Sequence, residues 1–140
     1  MGAVTTRIDR SIDIPREVPY TPEDNIVLDG RDLLTQARVN GHDLICRLDT
    51  KADRTVFYKP YYDRYKASVE KAGGVRHYKA YTLPQLELKV AGQGVSVPKV
   101  NVYTERVVSK DHLMCNLGQD VLKHFKSYSI NLQSMSLDLD

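Results

Sequence analysis

The stretch Leu44-Ile45-Cys46-Arg47-Leu48-Asp49-Thr50-Lys51-Ala52 sets an apolar strand run against an abrupt polar break at Asp49. The run is the second arm of a hairpin. Leu33 to Val39 reads as the first arm, and Asn40-Gly41 as the turn between them. Asn-Gly between two apolar runs is among the strongest short-range hairpin signals. Asp49 therefore falls where a returning strand ends. Taken alone, Asp49-Thr50 is also what an ordinary strand-end turn looks like, because both side chains can satisfy backbone donors there.

Further along, His112 to Leu117 reads as an apolar strand that stops at Gly118, and Gln119 to Phe125 as a short helix with Val121, Leu122 and Phe125 on one face. Between these two landmarks the punctuation is regular. Thr55 to Tyr58 is a strand. Pro60 opens a helix whose face is Tyr61, Tyr65 and Val69, and Gly73-Gly74 ends it. Val75 to Tyr81 reads as one strand, and Leu86, Leu88 and Val90 alternate with charged residues as the next. Ala91 to Gly94 is a turn. Val95 to Val102 is a further strand, in which Pro98 signals an edge or a bulge. Ile130 and Leu132, then Leu137 and Leu139, predict a terminal hairpin. Residues 1–32 form a lead-in with Pro15, Pro19 and Pro22, one strand expected over Thr6 to Ile14 and a short one at Ile26 to Leu28. Residues 33–140 form the domain. Many short strands with one or two short helices make it mainly β, a small barrel or sandwich.

Bulk properties narrow the function. The chain has 140 residues, enough for one core and too few for two. Twenty Lys and Arg against eighteen Asp and Glu leave a net charge of +2, and no basic run with interleaved aromatics appears, so nucleic acid is not an expected partner. No apolar run approaches the ~18 residues of a transmembrane helix. Two cysteines, Cys46 and Cys115, are too few for a disulfide scaffold or a zinc site. His42, His77, His112 and His124 show no metal-ligand spacing, so no metal or other cofactor is expected.

Four features occur in order: the Asn40-Gly41 hairpin, Leu48-Asp49-Thr50-Lys51-Ala52, a strand pair from Leu86 to Val102, and Asn116-Leu117-Gly118 leading into a helix and a hairpin. This order resembles the retropepsin-like aspartic protease family, which includes retroviral proteases and bacterial aspartyl protease domains. The likeness spans about residues 33 to 140. It implies a closed β-barrel of the acid protease type. It implies Asp49 as the catalytic carboxylate, with Thr50, Lys51 and Ala52 shaping the loop around it. It also implies that Asn116, Leu117 and Gly118 thread beside the Asp49 strand and support that loop. Gly73 and Gly74 read either as a helix C-terminus or, by the resemblance, as part of a flap over the cleft. Since the resemblance runs the two motif strands side by side, Cys46 and Cys115 are brought near each other. Two buried thiols acting as small hydrophobes are the simpler expectation, and a disulfide the other.

The implied chemistry needs two carboxylates on one water. Like charges ~3 Å apart cannot easily both ionise, so such a pair shares a proton, one member serving as base and the other as acid. One Asp-Thr motif per chain then requires a homodimer, with Asp49 from each subunit meeting at a two-fold axis. The expected partner is a peptide or protein substrate held as an extended strand. Bacterial relatives are often envelope proteins, which the resemblance extends here only if the chain belongs to a longer exported precursor. The sequence departs from the family decisively at Lys51, which stands where the family has Gly, and also at Asn116, where an apolar residue is usual. A Lys beside the dyad favours its doubly ionised state, so a non-catalytic peptide-binding or assembly module on the same fold is the alternative. An unrelated small β-barrel is the third reading, and it requires that no strand thread at Asn116-Leu117-Gly118.

Overall fold

A computed structural model describes residues 25–108 and 113–140, so the strand expected over Thr6 to Ile14 lies outside the described residues. β1 (Ile26–Asp29), β2 (Asp32–Val39) and β3 (His42–Leu48) form an antiparallel meander. The β2–β3 turn has φ of 52° at Asn40 and 81° at Gly41, the doubly left-handed geometry that Asn-Gly tolerates best. β4 is only Val56–Phe57, and it leads into α1 (Lys59–Lys71), with Pro60 in the first turn and Tyr61 and Val69 buried. The sheet continues with β5 (Val75–His77), β6 (Ala80–Val90), β7 (Gln93–Tyr103) and β8 (Cys115–Leu117). A short helix α2 (Gln119–Leu122) follows, and then β9 (Tyr128–Asn131) and β10 (Ser136–Leu139) pair as a separate two-stranded sheet.

The large sheet runs β1-β2-β3-β8-β4-β7-β6-β5. A further pairing of Ala37 with Val90 and Arg38 with Lys89 joins β2 to β6 and closes a six-stranded barrel, β1 and β5 remaining outside the ring. Its interior takes the alternate residues of each strand: Val39, Leu44, Cys46, Phe57, Leu83, Val97, Val100, Val102, Cys115 and Leu117 are all buried. A fold of this kind, mainly β with two short helices, is what the strand count predicted. β1, expected as a short strand within the lead-in, belongs to the sheet along its whole length. Asn25 ties this start to the end of the chain. Its amide Nδ2 donates to Leu137 O at 2.9 Å, its Oδ1 accepts from Leu137 N–H at 2.6 Å, and its backbone N–H donates to Met135 O at 3.0 Å.

Three local expectations change. Residues 75–81 are not one strand: the chain reverses at Tyr78-Lys79, and β5 pairs back on β6 with His77 opposite Ala80. No Gly, Pro, Asn or Asp marks that turn. It is imposed by the long β6–β7 ladder, which runs from Ala80–Tyr103 to Val90–Gln93 and recruits residues the alternation had left out. The helix after Gly118 stops at Leu122 instead of Phe125. At Pro98 the ladder is interrupted without a bulge: Lys99 has φ 55°, and Pro84 and Lys99 stay unpaired opposite each other while Leu83–Val100 and Gln85–Pro98 keep one register. The cysteines also differ from the simpler expectation. Cys46 and Cys115 lie directly opposite in the parallel β3–β8 pair, Cα atoms 4.6 Å apart, and are joined as a disulfide.

Two outcomes follow for stability. The disulfide closes a span of 69 residues, and the chain-entropy picture gives such a cross-link about 4 kcal/mol. The Cys46→Ala, Cys115→Ala double variant, equally apolar at both sites, is expected to lose most of that in urea unfolding of the oxidised protein. Burial, reinforced by neighbouring Tyr65, pushes the Tyr61 phenol up to about 12. Between pH 10 and 12 the folded chain holds a proton that the unfolded chain has released, so stability falls as pH rises through that window, by up to ~2–3 kcal/mol. Tyr61→Phe should flatten that decline when unfolding free energy is followed from pH 9 to 12.

Candidate active site

Asp49 is the first residue beyond β3, and the ladder with β8 carries on through it: its N–H donates to Leu117 O at 2.9 Å. The chain then turns tightly. Ala52 N–H reaches back to Asp49 O at 3.2 Å, and Lys51 N–H donates to Asp49 Oδ1 at 3.1 Å. That second bond is the Asx-type closure that makes Asp a favoured turn residue. The other carboxylate oxygen, Oδ2, accepts from Asn116 Nδ2 at 3.2 Å. Both Asp49 oxygens are thus engaged by donors of the chain's own two motifs.

Asn116 is buried, at 4% exposure, so its amide needs partners at both ends. Its Oδ1 accepts from Arg47 Nε at 2.6 Å. Arg47 in turn donates through Nη2 to the Tyr58 hydroxyl at 3.1 Å and lies 3.7 Å from Asp32. The Tyr58 phenol is raised by burial, with Arg47 pulling the other way. The result is a relay from guanidinium to amide to carboxylate. Asn116, the departure from an apolar residue, is the middle of it.

Beneath the loop, Gly118 passes so close that an added Cβ would stand 2.7 Å from the Arg54 carbonyl carbon and 2.8 Å from Ala52 O. No side chain fits there. The start of α2 holds the loop from below: Gln119 N–H donates to Ala52 O at 2.7 Å, Gln119 Nε2 to Thr50 O at 2.6 Å, and Asp120 N–H to Asp53 O at 3.1 Å. Buried Thr55 adds a second clamp. Its Oγ1 donates to Asp120 Oδ1 at 2.6 Å and accepts from Gly118 N–H at 3.0 Å, while its N–H donates to the Asp120 carboxylate at 2.9 Å. Thr55, Asp120 and Gln119 were not picked out from the sequence. An acidic residue at a helix start is a visible signal for Asp120. Its partner lies 65 residues away, and only the strand order brings the two together.

Thr50 and Lys51 are exposed on the outer side of the loop, with Asp49 and Ala52 half-buried beside them. Among the described non-glycine residues, positive φ occurs at Asn40, Ala91, Lys99 and Met135, so the backbone at Lys51 places no demand for glycine. Gly73 and Gly74 are not at a hairpin tip. Gly73 ends α1 with φ 76°, and a Cβ on Gly74 would meet a Leu83 methyl at 2.8 Å, so the pair makes the close passage from α1 into β5. The tip of the neighbouring β5–β6 hairpin is Tyr78-Lys79, with Tyr78 exposed and the Lys79 ammonium 5.2 Å over its ring. No helix among the described residues is long and apolar enough to cross a membrane.

No protein-family profile matches the sequence, and no curated protein does. Solved structures do. The chain is similar to a retropepsin-like aspartic protease from Rickettsia conorii, with 21% identity and a TM-score of 0.53 over 71% of this chain and 75% of that one. It is also similar to the retroviral protease-like domain of Ddi1 from Leishmania major, with 15% identity and a TM-score of 0.57 over 76% of this chain and 85% of that one. With β8 threaded between β3 and β4 at Asn116-Leu117-Gly118, and a closed barrel around it, the chain has the retropepsin-like fold.

Proposed function

We propose that this chain is the subunit of a homodimeric aspartic endopeptidase in which Asp49 supplies one carboxylate of a shared dyad. The observation that carries the reading is the mounting of Asp49. It is a half-buried carboxylate at a strand end, fixed at Oδ1 by Lys51 N–H and at Oδ2 by Asn116, over a floor that only Gly118 can form. Thr50 and Lys51 stand exposed on the same loop, where a second copy can meet it. In the dyad, the ionised carboxylate takes a proton from water as the oxygen adds to the scissile carbonyl carbon. The protonated partner gives its proton to the carbonyl oxygen. The tetrahedral intermediate then expels the amine, which leaves with a proton from the dyad. In this reading the β5–β6 hairpin, with Tyr78 at its tip, takes the role of the flap in place of Gly73 and Gly74.

Lys51 favours a second reading. It is exposed and, among the described residues, has no carboxylate in ion-pair range. Two ammonium groups near the dyad, one per subunit, stabilise the doubly ionised pair and remove the shared proton. A chain disabled in this way remains a peptide-binding module.

The two readings separate in a peptide-cleavage assay from pH 3 to 7. Protease function predicts cleavage that Asp49→Asn lowers at least about a hundredfold, the loss of a positioned acid–base group. Lys51→Gly is expected to raise kcat/KM about tenfold, the effect of one unit of proton affinity in the dyad. Cleavage seen only after Lys51→Gly supports the binding module. Sedimentation velocity supplies an independent check: a dimer is expected, and a strictly monomeric chain at assay concentration sinks the dyad.

A further inference from the structure

The strand register sets one row of residues side by side across six strands. Arg47 lies opposite Asn116, Asn116 opposite Val56, Val56 opposite Asn101, Asn101 opposite Thr82, and Thr82 opposite Val75. Opposed residues share a face, and this is the face away from the barrel interior, since Cys46, Cys115, Phe57 and Val102 occupy the alternate positions inside. The row starts beside Asp49 and ends on the β5–β6 hairpin. It is polar along most of its length: Thr82 Oγ1 donates to Asn101 Oδ1 at 2.7 Å and bonds the His77 ring as well. A peptide stretched from Asp49 to beneath the hairpin passes the half-buried Arg47, Val56, Asn101 and Thr82, with Asn116 buried behind them.

We infer that the cleft selects peptides with a carboxylate side chain next to the scissile bond, and that Arg47 is the residue that reads it; this rests on Asp49 being the reacting group. Arg47 carries five N–H donors. Nε goes to Asn116 and one Nη2 hydrogen to Tyr58, while Nη1 stands 3.7 Å from Asp32, within ion-pair range and too long for a hydrogen bond. Its side chain is 26% exposed, so a ligand can reach part of it. The Asn116 and Tyr58 bonds hold the fork in place, which lets a carboxylate take two parallel bonds without ordering a loose side chain. An apolar side chain at the same point strips water from those donors and returns nothing. On the same loop the exposed Lys51 and Arg54 outnumber the exposed Asp53, while Asp32 beside Arg47 is a competing carboxylate that an acidic substrate has to outweigh.

The test uses fluorogenic peptides with the two residues flanking the cut set to Asp, Glu, Leu or Phe. Matching reduced-amide peptides are titrated by fluorescence anisotropy, so that binding is read apart from cleavage. The unmodified chain is expected to favour Asp or Glu over Leu at least tenfold at one flanking position, in kcat/KM or in Kd. Arg47→Leu should abolish that ratio and Arg47→Lys should keep part of it. Arg47→Gln, which keeps a donor to Asn116, serves if the Leu variant does not fold. A ratio near one in the unmodified chain, or one unmoved by Arg47→Leu or Arg47→Gln, overturns the inference and leaves the peptidase reading standing. If no peptide is cut or bound by any form, the Asp49 reading falls, and this inference with it.

Discussion

β8 is three residues long, and its position between β3 and β4 is the constraint from which the rest follows. Its parallel pairing with β3 puts Leu117 O where Asp49 N–H can reach it, so the loop begins from a fixed point. Its antiparallel pairing with β4 sets Asn116 opposite Val56 and brings Thr55 under Gly118. From there α2 starts directly below the loop and returns three hydrogen bonds to residues 50–53. A central strand so short has little pairing energy of its own. The Cys46–Cys115 bond, at the far end from Asp49, and the absence of a side chain at Gly118 hold it in a register that the backbone ladder alone would hold weakly.

The parts of this arrangement legible in the sequence are those written in local signals. Asn40-Gly41 specifies a turn by its backbone freedom, and alternation marks β6 and β7. Leu117-Gly118 before a helix marks the second motif. What stayed hidden depends on pairing between distant segments. Thr55 looks like an ordinary polar residue and Asp120 like a helix-start acid until β8 brings them together. The Tyr78-Lys79 reversal has no turn residue to announce it, because the β6–β7 ladder decides where β6 begins. The disulfide is the lesser of two expectations for the same reason: two isolated cysteines carry no spacing rule, and the parallel register is what places them directly opposite each other.

Lys51 and Asn116 are the two departures from the pattern that the sequence resemblance implies, and each donates a hydrogen bond to one oxygen of the Asp49 carboxylate. Lys51 uses its backbone N–H, not its ammonium, to fix Asp49 Oδ1, so that bond survives whatever side chain the position carries. Asn116 uses its side chain, and it is held in turn by Arg47. The loop geometry is therefore insensitive to the first departure and dependent on the second. The electrostatics divide the other way: the amide is neutral, while the ammonium adds a positive charge to the loop that carries Asp49.

The covalent bond between β3 and β8 has one more effect. It encloses residues 47–114, a span that contains the exposed β5–β6 tip at Tyr78 and the exposed stretch around Arg106 and Val107. A single backbone nick anywhere in that span leaves both fragments tethered three residues from Asp49. The strand that carries the carboxylate and the strand that braces it stay together, and the chain becomes a two-fragment molecule with its loop still mounted.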